Sequence, residues 1–133
     1  MSAPRILIVE DHTSVRTLLR VMFETEGYRT IEADDGPAAL EAAGSVKPDL
    51  ILLDLMMPEL DGERVIARLS EDPQLSGIPI IVVTAKQEAV DRMKDWLGDG
   101  NVFTKPFDQA NLLARVEELI GPGSPLPSSP WKG

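Results

Sequence analysis

Short apolar runs alternate with amphipathic stretches five times along this chain, and few folds accept that order. The segments "RILIV" (5–9), "YRTIEA" (28–33), "DLILLD" (49–54), "IPIIVVT" (78–84) and "NVFT" (101–104) read as strands. Between them, Val15, Leu18, Leu19, Met22 and Phe23 recur at helical spacing, with Thr13 or Ser14 as the expected cap and Gly27 as the stop. Pro37 behind Gly36 suits the first turn of a helix through Leu40 to Ala43. Val65, Ile66 and Leu69 mark a helix after Gly62 that ends before Pro73, and Val90, Met93 and Leu97 mark one stopped by Gly98. Leu112, Leu113, Val116 and Ile120 share one face behind Asp108, which reads as a cap. Continuous apolar strands between amphipathic helices imply a parallel sheet covered on both faces. Right-handed crossovers then give a doubly wound, five-stranded α/β fold. Met22, Phe23, Met93 and Phe103 read as core.

The chain has 133 residues, enough for one domain with a proper core. The alternation stops at Gly121. Residues 1–120 are therefore read as the folded domain, and "GPGSPLPSSPWKG" (121–133), with its prolines and no periodicity, as a disordered tail or truncated linker. No apolar run approaches a membrane span, and the N-terminus lacks the apolar core of a signal peptide. With no cysteine there is no disulfide framework and no thiolate metal site. A cytoplasmic location without membrane attachment is expected. The formal net charge of -9 argues against direct contact of this domain with nucleic acid and suits cations or basic protein surfaces.

In open parallel sheets, sites form beyond the carboxyl ends of the strands. Glu10 and Asp11 follow the first strand, Asp54 ends the third, Thr84 ends the fourth, and Lys105, followed by Pro106, comes after the fifth. Asp34 and Asp35 after the second read as a solvated turn. Carboxylates gathered at one edge repel each other, by roughly 1 kcal/mol per pair at ~4 Å in water and more in a shielded site. A hard cation relieves that repulsion, and a few oxygen ligands with room for water suit Mg²⁺ better than Ca²⁺ or Zn²⁺. His12, the single histidine, has no Cys or second His beside it and reads as a solvated loop residue. A metal, a hydroxyl and a lysine around one carboxylate describe phosphoryl transfer, with Asp54 as nucleophile forming an acyl phosphate.

"ILIVEDH", "DLILLDLMMPELDG", "IPIIVVTA" and "FTKPF" occur in this order between about Arg5 and Ile120. In this the chain resembles a response-regulator receiver domain of two-component signalling. The resemblance implies a flavodoxin-like strand order, 2-1-3-4-5, which sets Asp11 beside Asp54. It makes Asp54 the phosphoacceptor. Asp11 and Asp54 would be direct Mg²⁺ ligands, with Met56 through its backbone carbonyl and Glu10 through water. Thr84 and Lys105 would contact the phosphoryl group. Pro58 and Gly62 would shape the loop after Asp54, Pro58 by keeping the backbone out of a helix so that the Met56 carbonyl can face the metal. Lys105–Pro106 would be a cis peptide. The domain would be a phosphoacceptor that assists its own Mg²⁺-dependent phosphorylation and dephosphorylation, not a turnover enzyme. Its donor would be a sensor histidine kinase or phosphotransfer protein, and its output a downstream protein partner or effector domain.

Met56 and Lys86, each two residues past a site residue, occupy positions that tune phosphoryl lifetime in the family. Val102 departs from the pattern. The family usually has Tyr or Phe there, and strand parity points the neighbouring Phe103 to the other face. Val102 is the one feature favouring an alternative, a phosphorylation-independent interaction module of the same fold. An aspartate-nucleophile phosphatase would want a second Asp where Met56 stands. An FMN carrier would want a Ser/Thr/Gly-rich loop in place of "EDHTSV".

Overall fold

The computed structural model describes residues 3–55 and 62–123. Five strands and five helices alternate: β1 Arg5–Val9, α1 Thr13–Thr25, β2 Arg29–Ala33, α2 Gly36–Val46, β3 Leu50–Asp54, α3 Gly62–Glu71, β4 Ile80–Thr84, α4 Gln87–Leu97, β5 Val102–Thr104 and α5 Gln109–Ile120. All strands are parallel, in the order β2-β1-β3-β4-β5. Each expected element is present. The strands are trimmed by a residue or two at their starts, and one turn of 3-10 helix, Asp99–Asn101, precedes β5.

β3 shows why the pattern is so readable. It is central, every residue of "LILLD" is buried, and a strand covered on both faces must be apolar along its whole length. Alternate residues serve two cores. Leu7, Val9, Ile51, Leu53, Val82 and Val102 face α2, α3 and α4, where Val65, Ile66 and Met93 meet them. Ile6, Ile8, Leu50, Leu52, Ile81 and Val83 face α1 and α5, against Phe23, Leu112 and Val116. Each fully buried Leu, Ile or Phe side chain contributes about 1.5–3 kcal/mol of transfer free energy. Met22, Phe23 and Met93 are core as expected.

The helix starts correct two expectations. The N-cap position of α1 is His12, one residue before Thr13, and no side chain caps that end. Asp35 does more than solvate a turn: its carboxylate accepts the Ala38 amide at 2.8 Å and caps α2. Asp108 caps α5 as read, accepting the Asn111 amide at 3.1 Å.

The strand register places the site. Val9 lies opposite Leu53, and Asp54 opposite Val83. One step onward, Glu10 comes level with Asp54, and Thr84 stands one residue beyond it. Thr84 pairs with Thr104, so Lys105 emerges at the same edge.

Candidate functional site

Glu10, Asp54 and Thr84 are the buried polar and charged residues of the described chain, at 1, 6 and 0 % exposure, and all three end a strand at one edge. Polar groups at such depth need partners. Lys105 supplies them. Its Nζ lies 2.8 Å from Asp54 Oδ2 and 3.2 Å from Glu10 Oε1, a bridge across 95 residues of sequence. The Lys105 amide also donates to the Thr84 carbonyl at 2.8 Å, and the Lys105–Pro106 peptide is cis. Thr84 Oγ1 accepts the Lys86 amide at 2.9 Å, at the N-cap position of α4, which leaves the hydroxyl proton to be donated.

The electrostatics follow from crowding. Burial, then the charge and hydrogen bond of Asp54, push the Glu10 carboxyl above its ordinary value, against the His12 amide and Lys105, which lower it. Burial works against the Lys105 charge. The hydrogen bond and charge of Asp54, then Glu10, outweigh it, and the ammonium is held above its ordinary range.

Asp11 follows Glu10 on the same loop, and its Oδ1 is buried without a hydrogen-bond partner. A buried carboxylate oxygen with no hydrogen bond, on the residue after the buried Glu10 and at the same sheet edge as Asp54, is what a divalent oxygen-seeking cation would complete, so the donor set fits Mg²⁺.

Gly62 opens α3, and its amide donates to the Leu55 carbonyl at 3.3 Å. A Cβ there would stand 2.7 Å from the Leu55 Cα. The chain needs glycine at this point because helix and strand end approach too closely for a side chain. Met56 and Pro58 lie outside the described residues. Val102 is buried against the α4 side, and Phe103 packs on the α1–α5 side, as strand parity requires.

Two residues of this edge are not evident from sequence. Arg16, one turn into α1, donates from Nη1 to the Glu10 carbonyl at 2.8 Å and from Nε to Glu32 at 3.0 Å, tying the acidic loop to β2. The only hint is an arginine five residues past the acidic pair. His12 turns its ring nitrogen toward the acids instead of away from them.

Known proteins share both pattern and shape. The family described as "Response regulator receiver domain" matches residues 6–117. The alkaline phosphatase synthesis transcriptional regulatory protein PhoP of Bacillus subtilis is 38% identical over 97% of this chain and 56% of its own length. The response regulator PleD of Caulobacter vibrioides is 42% identical over 90% of this chain and 26% of its own length. The chain thus spans about half of the first relative and a quarter of the second. Among solved structures, the response regulator TrrA of Thermotoga maritima in complex with Mg(2+)-BeF superposes with a TM-score of 0.78 at 30% identity, covering 87% of this chain and 98% of that one.

Proposed function

The chain belongs to the response regulator receiver domain family, and from that premise we propose that Asp54 accepts a phosphoryl group in a Mg²⁺-dependent reaction, from a histidine kinase or phosphotransfer protein, and that the acyl phosphate changes what the domain binds. The observation that carries this reading is the Asp54 carboxylate, buried at the end of β3 and held at 2.8 Å by Lys105, with the buried, unbonded Asp11 Oδ1 on the loop after the neighbouring strand β1.

The chemistry asks little covalent work of the protein. An Asp54 oxygen bonds to phosphorus as the P–N bond of a phosphohistidine breaks, and the departing imidazole keeps the electron pair and takes up a proton. Lys105 Nζ lies 2.8 Å from Asp54 Oδ2, and it can share its protons between that carboxylate and a phosphoryl oxygen. Thr84 can donate its proton to a second oxygen without giving up the Lys86 amide. Asp11 and Asp54 would hold the cation directly, and Glu10 through water. Mg²⁺ held there would supply positive charge to offset the crowded carboxylates and the charge of the transferred group. Beside Lys105 an apolar groove of about 440 Å³ runs along Val15, Leu18, Leu19, Pro106 and Phe107, with Leu18 53 % exposed. That shoulder suits a protein donor better than a small one.

The test is incubation with phosphoramidate or acetyl phosphate and Mg²⁺, read by intact mass. One acid-stable, base-labile phosphate is expected, and none on Asp54→Asn. Equal labelling of that variant overturns the assignment. No labelling of the unmodified protein favours the interaction module that Val102 suggests.

A further inference from the structure

The phosphoryl chemistry above makes no use of the group nearest the open carboxylate. His12 Nδ1 lies 3.2 Å from Asp11 Oδ1 and 3.4 Å from Glu10 Oε2. The first contact is within hydrogen-bond distance, yet Asp11 Oδ1 accepts no hydrogen bond, and the ring nitrogen's hydrogen-bond contact is with Glu10 Oε2. The imidazole therefore stands beside the oxygen without satisfying it. Glu10 Oε1 is committed to Lys105, and Oε2 accepts the His12 amide at 3.1 Å and meets the His12 ring nitrogen at 3.4 Å, a contact that a shared cation would replace.

Donor spacing decides what fits between these atoms. An ion bonded at about 2.1 Å holds adjacent donors about 3.0 Å apart in an octahedral sphere and about 3.4 Å in a tetrahedral one. The two nitrogen–oxygen distances at His12 are of that size, and one donor atom from each of Glu10, Asp11 and His12 lies within 4.8 Å of the others. The coordinating form of the ring carries its proton on Nε2, and a side chain 72 % exposed can keep that proton in water. The backbone of His12 is itself held in place, at the N-cap position of α1 with its carbonyl accepting the Arg16 amide at 2.9 Å.

We propose that His12 is a nitrogen ligand of the divalent-cation site it shares with Asp11, so that this site ranks first-row transition ions, Mn²⁺ and above all Zn²⁺, over Mg²⁺. Oxygen donors alone suit Mg²⁺ and Mn²⁺, whereas an imidazole favours the later first-row ions. The proposal rests on the reading of the acidic edge as a cation site, and the experiment separates the two.

Mg²⁺, Mn²⁺ and Zn²⁺ chlorides are titrated calorimetrically into the unmodified protein, His12→Ala, His12→Gln and Asp11→Asn. His12→Ala should lose roughly tenfold or more in Zn²⁺ affinity and little in Mg²⁺ affinity. His12→Gln, which keeps hydrogen-bonding capacity but has no ring nitrogen, should behave like the alanine variant toward Zn²⁺. His12 is the only histidine, so its ring ¹⁵N resonances need no assignment, and Zn²⁺ should shift Nδ1 where Mg²⁺ does not. An unchanged ratio of Zn²⁺ to Mg²⁺ affinity in His12→Ala, or full rescue by Gln, overturns the proposal and leaves the cation site standing. Asp11→Asn that binds all three ions as before overturns the cation site itself.

Discussion

At the amino end of the sheet, Asp49 accepts the Arg5 amide at 2.8 Å, the Arg29 amide reaches the Pro4 carbonyl, the Asp49 amide reaches Arg5, and the Ile51 amide reaches Pro79. Tyr28, just before β2, donates its hydroxyl to the Gly121 carbonyl at 2.7 Å. At the carboxyl end, by contrast, two buried acids share one lysine, a third keeps an unsatisfied oxygen, and the Glu10 carboxyl is pushed toward its protonated form. The same strands build both ends. One satisfies its polar groups through local backbone bonds, and the other leaves a carboxylate oxygen without a hydrogen bond. The first end is satisfied within the fold, and the second, where the proposed chemistry would take place, keeps like charges crowded together.

The sharpest way to break this contrast uses two glycines. Gly62→Ala at the carboxyl end pushes a Cβ against the Leu55 backbone and should cost about 2–3 kcal/mol. Gly77→Ala at the amino end meets nothing within 4 Å and should be close to neutral. Chemical denaturation of both variants checks the difference, and equal costs would dissolve it.

Opposite signs are expected next. Glu10→Gln removes a like charge from the crowded edge and should raise the stability of the metal-free protein by about 1 kcal/mol at neutral pH. Because the folded state holds the Glu10 proton above the ordinary value, stability falls as pH rises from 4.5 through the raised value, and the variant should lack that fall. Asp49→Ala strips the partner from the Arg5 amide and should destabilise by about 0.5–1 kcal/mol, leaving phosphorylation unchanged. Melting curves with and without Mg²⁺ decide this, since Mg²⁺ should narrow the gap between Glu10→Gln and the unmodified protein.

The smallest effect separates the ends at high pH. Burial, then Glu117 and Glu26, raise the Tyr28 phenol above 10.0, so the folded state keeps a proton that the unfolded chain releases, and stability falls as pH rises past 10. Lys105 adds its own loss as pH rises through its raised folded value, above 10.5. Tyr28→Phe should remove the first loss and keep the second, a difference of a few tenths of a kcal/mol or more. Tyr28 is the only tyrosine, so its ultraviolet titration reads the shift directly.

Most of the scaffold was legible because burial on both faces leaves no freedom in β3 or β4: a run such as "LILLD" has no other comfortable place. The positions of Asp54, Thr84 and Lys105 at one edge were legible for the same reason, since each follows a strand. Their partnerships were not. The Lys105 bridge to Glu10 depends on side-chain reach across 95 residues, and the inward turn of His12 on one loop's backbone angles. The α1 cap was misplaced because Thr13 and Ser14 have the right chemistry for a cap and the helix begins one residue earlier than they suggest. The importance of Gly62 came through as pattern. Its cause, a helix lying against a strand end, needed coordinates.

Tyr28 and Gly121 carry a practical consequence for anyone building on this domain. A Cβ at Gly123 would run into the backbone of Glu26 to Tyr28, so the chain after α5 leaves along a fixed track. It leaves from the end remote from Asp54, with β3 between them, five residues or about 16 Å of strand. A fluorescent protein or enzyme spliced on after Gly123 would be attached at the end of the sheet remote from the acidic edge. A reporter joined at this position starts about a strand's length from the acidic edge, which makes it a gauge of strain carried through the body of the sheet.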